Sequence, residues 1–246
     1  FHDGVDMVSP DGKIYPLDEG ELVYLWDRSM FPLDAYPGGG NYRVLKHGGD
    51  IYSLYLHLQD GPSYREAYGK RDHLGTIGNT GRSYGTHLHF SALNRAERVS
   101  LNPLKMLPPL PDRTPPVAGG VFVRVGDRYS VVREGASIRL TRHYPLLIEI
   151  TDSMGGRERL GVQTLAAYFN GRKVQEINFT TLEYSKNGLT ISGNKFHDLF
   201  DEKGYYKIGN ISYENGPNSL KIVAGDFAGN EAVHEMSFNV NLDIKE

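Results

Sequence analysis

The chain has 246 residues, no cysteine and a formal net charge of −3, and at about 150 residues per domain this length predicts one or two domains. The lack of cysteine excludes disulfides, zinc sites built from thiolates and cysteine nucleophiles. The weakly acidic balance disfavours nucleic-acid binding, which needs a basic surface, and no stretch approaches the roughly 18 apolar residues of a membrane helix.

The first half of the chain is predicted to be a β-sheet domain covering residues 1–107. Its alternating or β-rich segments are separated by loops rich in glycine, a pattern typical of antiparallel sheets. The predicted strands of this domain cover residues 13–15, 21–26, 42–46, 51–57 and 86–92. In the fourth of these strands, we predict that Ser53, Tyr55 and His57 share a face opposite to the leucines, because neighbouring side chains in a strand point to opposite faces.

A stretch rich in proline separates this domain from the rest. Five of the ten residues of 107–116 are proline, and such a segment cannot pair inside a sheet and acts as a stiff, extended spacer. We predict a linker at residues 108–118 and an immunoglobulin-like β-sandwich at residues 119–246, because short strands recur there about every 8–12 residues between turn signals. The predicted strands of the sandwich cover residues 121–125, 137–141, 146–151, 163–170, 173–181, 190–192, 205–213, 219–224 and 232–242. A short helix is predicted at residues 195–201.

Six of the nine histidines lie in the first 107 residues, so any histidine chemistry is predicted there. His87 and His89 would point to the same face of a strand, although two surface histidines are the simpler interpretation of such a pair on its own. His2 and Asp6 lie at i and i+4 around Gly4, whose flexibility permits a tight bend that brings them together. A catalytic zinc takes three protein ligands and leaves one position for water, but spacing alone does not say which histidines would be ligands.

Four motifs of the first 107 residues, taken in order, resemble those of the lysostaphin/LytM-type zinc metallopeptidases, which cut peptidoglycan peptides. The four motifs are His2-x-Gly-x-Asp6, Tyr55-Leu-His-Leu58, Gly78-Asn-Thr-Gly81 followed by Gly85-Thr-His-Leu-His-Phe90, and Asn102-Pro-Leu104. The sequence departs from the family pattern at Asp72-His73 and at Ser91, and neither departure removes a ligand. The likeness covers the first domain and not the second.

The resemblance implies a Zn²⁺ cofactor bound by His2, Asp6 and His89, with water at the fourth position. It also implies that His57 and His87 activate that water and stabilise the tetrahedral intermediate. Both roles suit imidazole, whose pKa lies near neutral pH, and zinc lowers the pKa of its water toward about 7.

Three further residues, Tyr36, Asn41 and Tyr84, are candidates for substrate binding. Tyr84 lies just before the predicted strand that carries both histidines, so its hydroxyl could donate a hydrogen bond to a substrate carbonyl. An ordinary loop aromatic is an equally good interpretation of Tyr84.

We therefore expect a zinc-dependent endopeptidase that hydrolyses peptide cross-links or stems of bacterial peptidoglycan. The alternatives are a non-catalytic LytM-like regulator that docks to other cell-wall hydrolases, a peptidase whose natural target is a protein, for example one rich in glycine, and a structural or adhesive module whose histidines bind zinc only adventitiously. We expect an exported protein of the periplasm or cell envelope, with its signal peptide removed upstream. The C-terminal domain is expected to position the enzyme or to contact a protein partner.

Overall fold

The computed structural model describes residues 2–35, 37–59, 61, 63–109, 111–153, 160–186 and 188–244. The chain divides into two compact units, Phe1–Pro108 with Thr181–Tyr184, and Pro109–Thr180 with Ser185–Glu246. Strands make up most of the regular structure in both units, which confirms the predicted all-β fold class. The short segment Thr181–Tyr184 was predicted to lie in the second domain, and the structure places it in the first unit instead.

The regular elements are mostly short strands. In chain order the strands are β1 (Val5–Met7), β2 (Lys13–Ile14), β3 (Gly20–Trp26), β4 (Asn41–Lys46), β5 (Ile51–Leu58), β6 (Ala67–Tyr68), β7 (Gly75–Thr76), β8 (Leu88–Asn94), β9 (Val99–Leu101), β10 (Val117–Val125), β11 (Arg128–Val132), β12 (Ser137–Leu140), β13 (Leu146–Thr151), β14 (Thr164–Phe169), β15 (Arg172–Asn178), β16 (Thr181–Ser185), β17 (Gly188–Thr190), β18 (Tyr206–Ile208), β19 (Gly216–Gly225) and β20 (Glu231–Leu242). The helical elements are the 3-10 turns Gly48–Asp50 and Pro103–Lys105 and the α-helix α1 (Phe196–Leu199).

The main sheet of the first unit is antiparallel. Its strand order is β16-β9-β8-β5-β4-β3-β6, and β1 pairs with the end of β8 that β9 leaves free. Strands β2 and β7 form a separate two-stranded sheet. The sequence analysis missed β1, β6, β7 and β9, which have two or three residues each, because an alternation signal needs a run of about four residues or more.

Strand β8, at the centre of this sheet, carries His89 of the predicted His-x-His motif, and His87 lies just before the strand. On one side, residues 51–56 of β5 pair with residues 89–94 of β8. On the other side, β1 pairs with residues 88–90 and β9 with residues 92–94. His89 therefore lies between Asp6 of β1 and Leu56 of β5, and the sheet itself brings the first motif of the chain to the third.

The end of β5 departs from regular strand geometry. Tyr55 alternates with the half-buried Leu54 and Leu56 as predicted, but Leu58, which was predicted to lie on the opposite face, belongs to the same hydrophobic core as Tyr55. His57 has a φ of 64°, a left-handed conformation that interrupts the alternation of side chains. As a result, His57 and Leu58 are both buried, with 8% and 3% of their surface exposed.

The second unit consists of two sheets around one hydrophobic core. The strand order is β11-β10-β13-β18 in one sheet and β12-β20-β19-β14-β15 in the other. Buried core residues come from both sheets, among them Ile148 of β13 and Phe238 of β20. The immunoglobulin-like assignment of this unit stays a prediction.

Several predicted bounds of the second half are corrected. β10 begins at Val117, inside the predicted linker 108–118, and the predicted strand 173–181 is two strands, β15 and β16. Strand β11 was missed, and the predicted helix at 195–201 is the four-residue α1. In the part of the chain that the structure describes, no helix has the length and apolar character needed to cross a membrane.

Candidate metal centre and neighbouring histidines

The pairing of β1 with β8 brings together two of the predicted zinc ligands. Asp6 and His89 are directly opposite each other in the antiparallel register, a position in which Cβ atoms lie about 4.5–5.5 Å apart. Nδ1 of His89 lies 3.0 Å from Oδ1 of Asp6. Residues that are far apart in the sequence therefore meet through backbone pairing.

Oδ1 of Asp6 is the point on which three imidazoles converge. Besides Nδ1 of His89 at 3.0 Å, Nε2 of His2 lies 3.5 Å away and Nε2 of His87 3.6 Å away. One ligand atom each from His2, Asp6 and His89 lies within 4.8 Å of the other two. The rings of His2 and His89 meet edge-on, with their centroids 4.8 Å apart. The structure thus brings together the three residues that the sequence predicted as metal ligands.

The donor atoms of this cluster fit a zinc ion. Two imidazole nitrogens and one carboxylate oxygen are a typical set for catalytic zinc, and donors about 2.0–2.1 Å from a tetrahedral centre lie roughly 3.3 Å from one another. His89 is buried, whereas His2 and Asp6 are exposed, so a fourth position on the solvent side is accessible. Oδ1 of Asp3 lies 3.5 Å from Nε2 of His89, and a carboxylate on the far nitrogen is the usual means of orienting a histidine ligand.

His57 and His87 border the cluster with the same arrangement of protons. Nδ1 of His57 donates to the carbonyl of Thr80, and Nδ1 of His87 donates to the carbonyl of Gly85, each at 2.8 Å. Because a carbonyl only accepts, each Nδ1 carries the proton and each Nε2 is the acceptor of the neutral ring. The two rings lie 4.9 Å apart, and the His57 ring lies 6.1 Å from that of His89.

The surroundings shift the pKa values of two of these histidines in opposite directions. Burial lowers the pKa of His57, an effect that the hydrogen bond to Thr80 opposes and the neighbouring His87 reinforces. The pKa of His89 is raised, mainly by its contact with Asp3 and further by Asp6, against the effect of burial. Burial thus disfavours the protonated form of His57, whereas the carboxylates beside His89 favour its protonated form.

Gly4 allows β1 to approach β8 closely. A Cβ atom on Gly4 would lie 2.6 Å from Nε2 of His89 and 2.6 Å from the carbonyl oxygen of Phe90. The chain bends at Gly4, with a φ outside the left-handed region. The sequence analysis missed a second reason for this glycine, which is that the missing side chain lets the backbone pass beside the ring of His89.

Replacing Gly4 with alanine is expected to weaken zinc binding by about 10–100-fold, the range for changes that displace the support of a ligand. The added methyl group must push β1 or the ring of His89 out of place, and competition with a chelating dye would measure the affinity. Gly48→Ala is the matched control, since a Cβ there meets nothing within 4 Å. Equal affinities in the two variants would contradict this account of Gly4.

The residues predicted to bind substrate are placed differently from one another. Tyr84 is fully exposed in the loop before β8, and Tyr36 lies outside the described residues. Asn41 is 1% exposed, and its Oδ1 accepts a hydrogen bond from the backbone N–H of Arg28 at 3.1 Å. It lines a cavity of about 210 Å³ beside Arg43, so its burial and its bond to the backbone argue for a structural role over the predicted substrate contact.

Two residues near the cluster were not singled out from the sequence. Asp3 contacts His89, and the only feature of the sequence that could have pointed to Asp3 is its position inside the first motif. Thr80 holds His57 through its carbonyl, while its Oγ1 donates to the carbonyl of Leu58 at 2.8 Å and accepts from the N–H of Asn41 at 2.9 Å. The sequence analysis noted the glycine-rich motif that contains Thr80, but it did not predict that Thr80 would hydrogen-bond to His57.

Part of this chain is similar in sequence to known proteins. Peptidoglycan DD-endopeptidase ShyA of Vibrio cholerae is 32% identical over 103 residues, which is 40% of this chain and 22% of ShyA. DD-carboxypeptidase/endopeptidase Mpg of Neisseria meningitidis is 28% identical over 117 residues, which is 46% of this chain and 24% of Mpg. The chain thus spans about a quarter of the length of these curated relatives.

A solved structure and two family models complete the comparison. A zinc-containing peptidase from Vibrio cholerae is 28% identical, with a TM-score of 0.34 over 45% of this chain and 31% of that chain. A family model of undescribed function matches residues 115–241, and the model of peptidase family M23 matches residues 1–103. The first unit therefore belongs to peptidase family M23, of the lysostaphin/LytM type that the four sequence motifs predicted.

Proposed function

We propose that the first unit is a zinc endopeptidase that hydrolyses peptide bonds of peptidoglycan. One observation carries the proposal: three imidazole nitrogens lie within 3.0–3.6 Å of a single carboxylate oxygen, Oδ1 of Asp6. The rings of His57 and His87 adjoin this point, and the Nδ1 of each donates to a backbone carbonyl. One curated relative is named a peptidoglycan DD-endopeptidase and the other a DD-carboxypeptidase/endopeptidase, which supports peptide cross-links as the substrate.

The metal ligands proposed for this chain are His2, Asp6 and His89. Zinc, when bound, supplies a Lewis acid that lowers the pKa of water and polarises a carbonyl group. The protein holds the donor atoms in place through the β1–β8 pairing, and Asp3 orients the ring of His89 from the far side. The single carboxylate among the three donors leaves the loaded site with a net positive charge, which favours the developing oxyanion.

His57 and His87 are proposed to move the protons of the reaction. One Nε2 accepts the proton of the attacking water, which makes the oxygen nucleophilic toward the peptide carbonyl. A protonated Nε2 can then donate to the tetrahedral oxyanion or to the departing amine. The hydrogen bonds of the two Nδ1 atoms to Thr80 and Gly85 hold each ring in the tautomer that this transfer requires.

A non-catalytic regulator is a weaker proposal. Such a protein has no need of a complete set of zinc ligands, and here the three proposed ligands lie together with both flanking histidines.

Action on peptidoglycan would place the enzyme outside the cytoplasm, in the periplasm or cell envelope. The second unit is proposed to position the enzyme or to contact a protein partner.

The proposed activity is tested by digesting purified peptidoglycan. We expect the zinc-loaded chain to release new amine termini and to convert cross-linked muropeptide dimers to monomers. Removing the metal with a chelator should stop the release, and adding zinc back should restore it. A chain that holds one zinc per molecule yet releases no amine from peptidoglycan or from cross-linked dimers would contradict the proposal.

A further inference from the structure

Three aspartates from separate segments meet in the second unit. Asp112 precedes β10, Asp152 follows β13, and Asp226 follows β19. One carboxylate oxygen from each lies within 4.8 Å of the other two. Asp152 and Asp226 are 2% and 3% exposed, and Asp112 is half-buried. The cluster shares no residue with the zinc site and has no part in the proposed hydrolysis.

Asp152 has an oxygen that the protein leaves unbonded. Its Oδ1 is fully buried and has no hydrogen-bond partner among the residues that the structure describes. A buried acceptor without a partner costs free energy, because it has lost its hydrogen bonds to water. Such an atom in a folded protein calls for a partner, and the two carboxylates that lie within 4.8 Å of an oxygen of the same side chain point to a cation.

The other two aspartates are held in position by the backbone. Oδ1 of Asp226 accepts hydrogen bonds from the N–H groups of Ala228 and Asn230, each at 2.8 Å. Oδ1 of Asp112 accepts from the N–H of Thr114 at 2.8 Å. Oδ2 of Asp226 also accepts from Nδ2 of Asn230 at 2.7 Å, so both of these carboxylates are oriented before a ligand arrives.

Like charges accumulate in this cluster. Burial raises the pKa of Asp152 to about 6, and the neighbouring Asp226 and Asp112 add to the shift. Near neutral pH the three carboxylates therefore repel one another in a place with little water. A bound divalent cation would compensate this repulsion, since it replaces the hydration that burial removes.

We propose that Asp112, Asp152 and Asp226 bind a calcium ion. A donor set made only of carboxylate oxygens favours a hard cation over zinc, which prefers imidazole and thiolate. Calcium accepts six to eight oxygens in irregular geometry, whereas magnesium requires a near-ideal octahedron and usually keeps several waters. Two of the three aspartates are almost fully buried, and a site with so little access to water suits calcium better.

The ion would join three parts of the second unit. It links the segment before β10 to the end of β13 and to the turn between β19 and β20. The amide of Asn230 already joins two of these parts, since its Nδ2 donates to Oδ2 of Asp226 at 2.7 Å and to the carbonyl of Asp112 at 3.4 Å. Calcium binding is therefore expected to stabilise this unit against unfolding, independently of the zinc site.

The test uses the full chain, loaded with zinc and freed of calcium by a calcium-selective chelator. Titration calorimetry with CaCl₂ is expected to show one site per chain, with a Kd of about 10⁻⁴–10⁻³ M as in extracellular modules. About 10 mM CaCl₂ should raise the unfolding temperature of the second unit by about 5–10 °C. Asp152→Asn should weaken calcium binding at least about tenfold, the loss expected when a ligating oxygen is replaced, and should leave the zinc content unchanged.

The calcium-free form of the Asp152→Asn variant shows whether Asp152 serves as a calcium ligand or as a hydrogen-bonding group that stabilises the fold. Without calcium it should unfold at the wild-type temperature or higher, because the change removes a like charge and keeps the size of the side chain. Asp127→Asn is the matched control, since the side chain of Asp127 is fully exposed, and it should bind calcium as the wild type does. If Asp152→Asn does not fold, Asp112→Asn provides the same comparison on the half-buried member.

Three outcomes would overturn the proposal. The first is a wild-type chain with no calcium binding and no thermal shift. The second is an equal shift with magnesium at the same concentration, which would contradict the choice of calcium. The third is an apo Asp152→Asn variant that unfolds well below the wild type, because Asp152 would then act as a structural hydrogen-bonding group.

Discussion

Replacing His57 with alanine is expected to lower the rate of peptide-bond hydrolysis by about 10²–10⁴-fold, the contribution of a positioned acid or base, while the zinc content stays at one per chain. The reason is geometric. The ring of His57 adjoins the cluster at 6.1 Å from that of His89, but none of the three ligand atoms grouped around Asp6 belongs to His57. The change therefore removes a proton acceptor and leaves the donor set intact.

The measurement combines metal analysis with steady-state kinetics on cross-linked muropeptides. The loss should appear in kcat, with KM little changed, because the interaction is made in the transition state. Stability should fall by about 1–3 kcal/mol, since the carbonyl of Thr80 loses its donor, so the assay belongs well below the unfolding temperature. His73→Ala is the control, because His73 is exposed and lies outside the cluster. Loss of zinc from the His57 variant would instead make His57 a ligand.

More of the candidate site than of the surrounding fold could be predicted from the sequence. The proposed ligands and both flanking histidines come from motifs whose order and residue types resemble a family, and the structure places all five side chains together. The strand that carries Asp6 was missed, because a three-residue segment such as β1 has no periodicity of its own. Its pairing depends on the free edge of β8, a tertiary feature that no local pattern contains.

Gly4 shows why a residue can be predicted with only part of its role. Glycine in a short motif suggests conformational freedom, but here its lack of a side chain also lets the backbone pass close to the ring of His89. Whether a glycine also serves a close approach depends on what packs against it. His57 is the converse case, since a non-glycine residue there adopts a positive φ that strand alternation does not predict.

The aspartate cluster of the second unit had no signal in the sequence. Asp226 occupies a turn, Asp112 a proline-rich segment and Asp152 a strand end. Their separations match no metal-binding spacing, because the three segments meet through the packing of two sheets. In the first unit short motifs carried the prediction, whereas here only the three-dimensional arrangement brings the carboxylates together.

Replacing His89 with alanine is expected to abolish both zinc binding and hydrolysis. His89 is the buried ligand of the three, with 8% of its surface exposed, and it is the one placed on a central strand. His2 and Asp6 are exposed and lie on or beside the three-residue strand β1, so without His89 the site loses its one buried donor. We expect the zinc affinity to fall by more than about 100-fold, which exceeds the loss caused by removing a residue that only orients a ligand.

The two histidine variants together decide the roles of these side chains. Zinc analysis after dialysis should find the metal in His57→Ala and none in His89→Ala, and neither should release amines from peptidoglycan at the wild-type rate. The chelated wild type is the reference for folding, because His89→Ala should share its circular dichroism spectrum if only the metal is lost. A His89 variant that keeps one zinc per chain would mean that the ion lies elsewhere, for instance between His2, Asp6 and His87, whose Nε2 is also within 3.6 Å of the carboxylate. In that case the His-x-His strand would contribute its first histidine as the ligand, and His89 would be the residue left to move the proton.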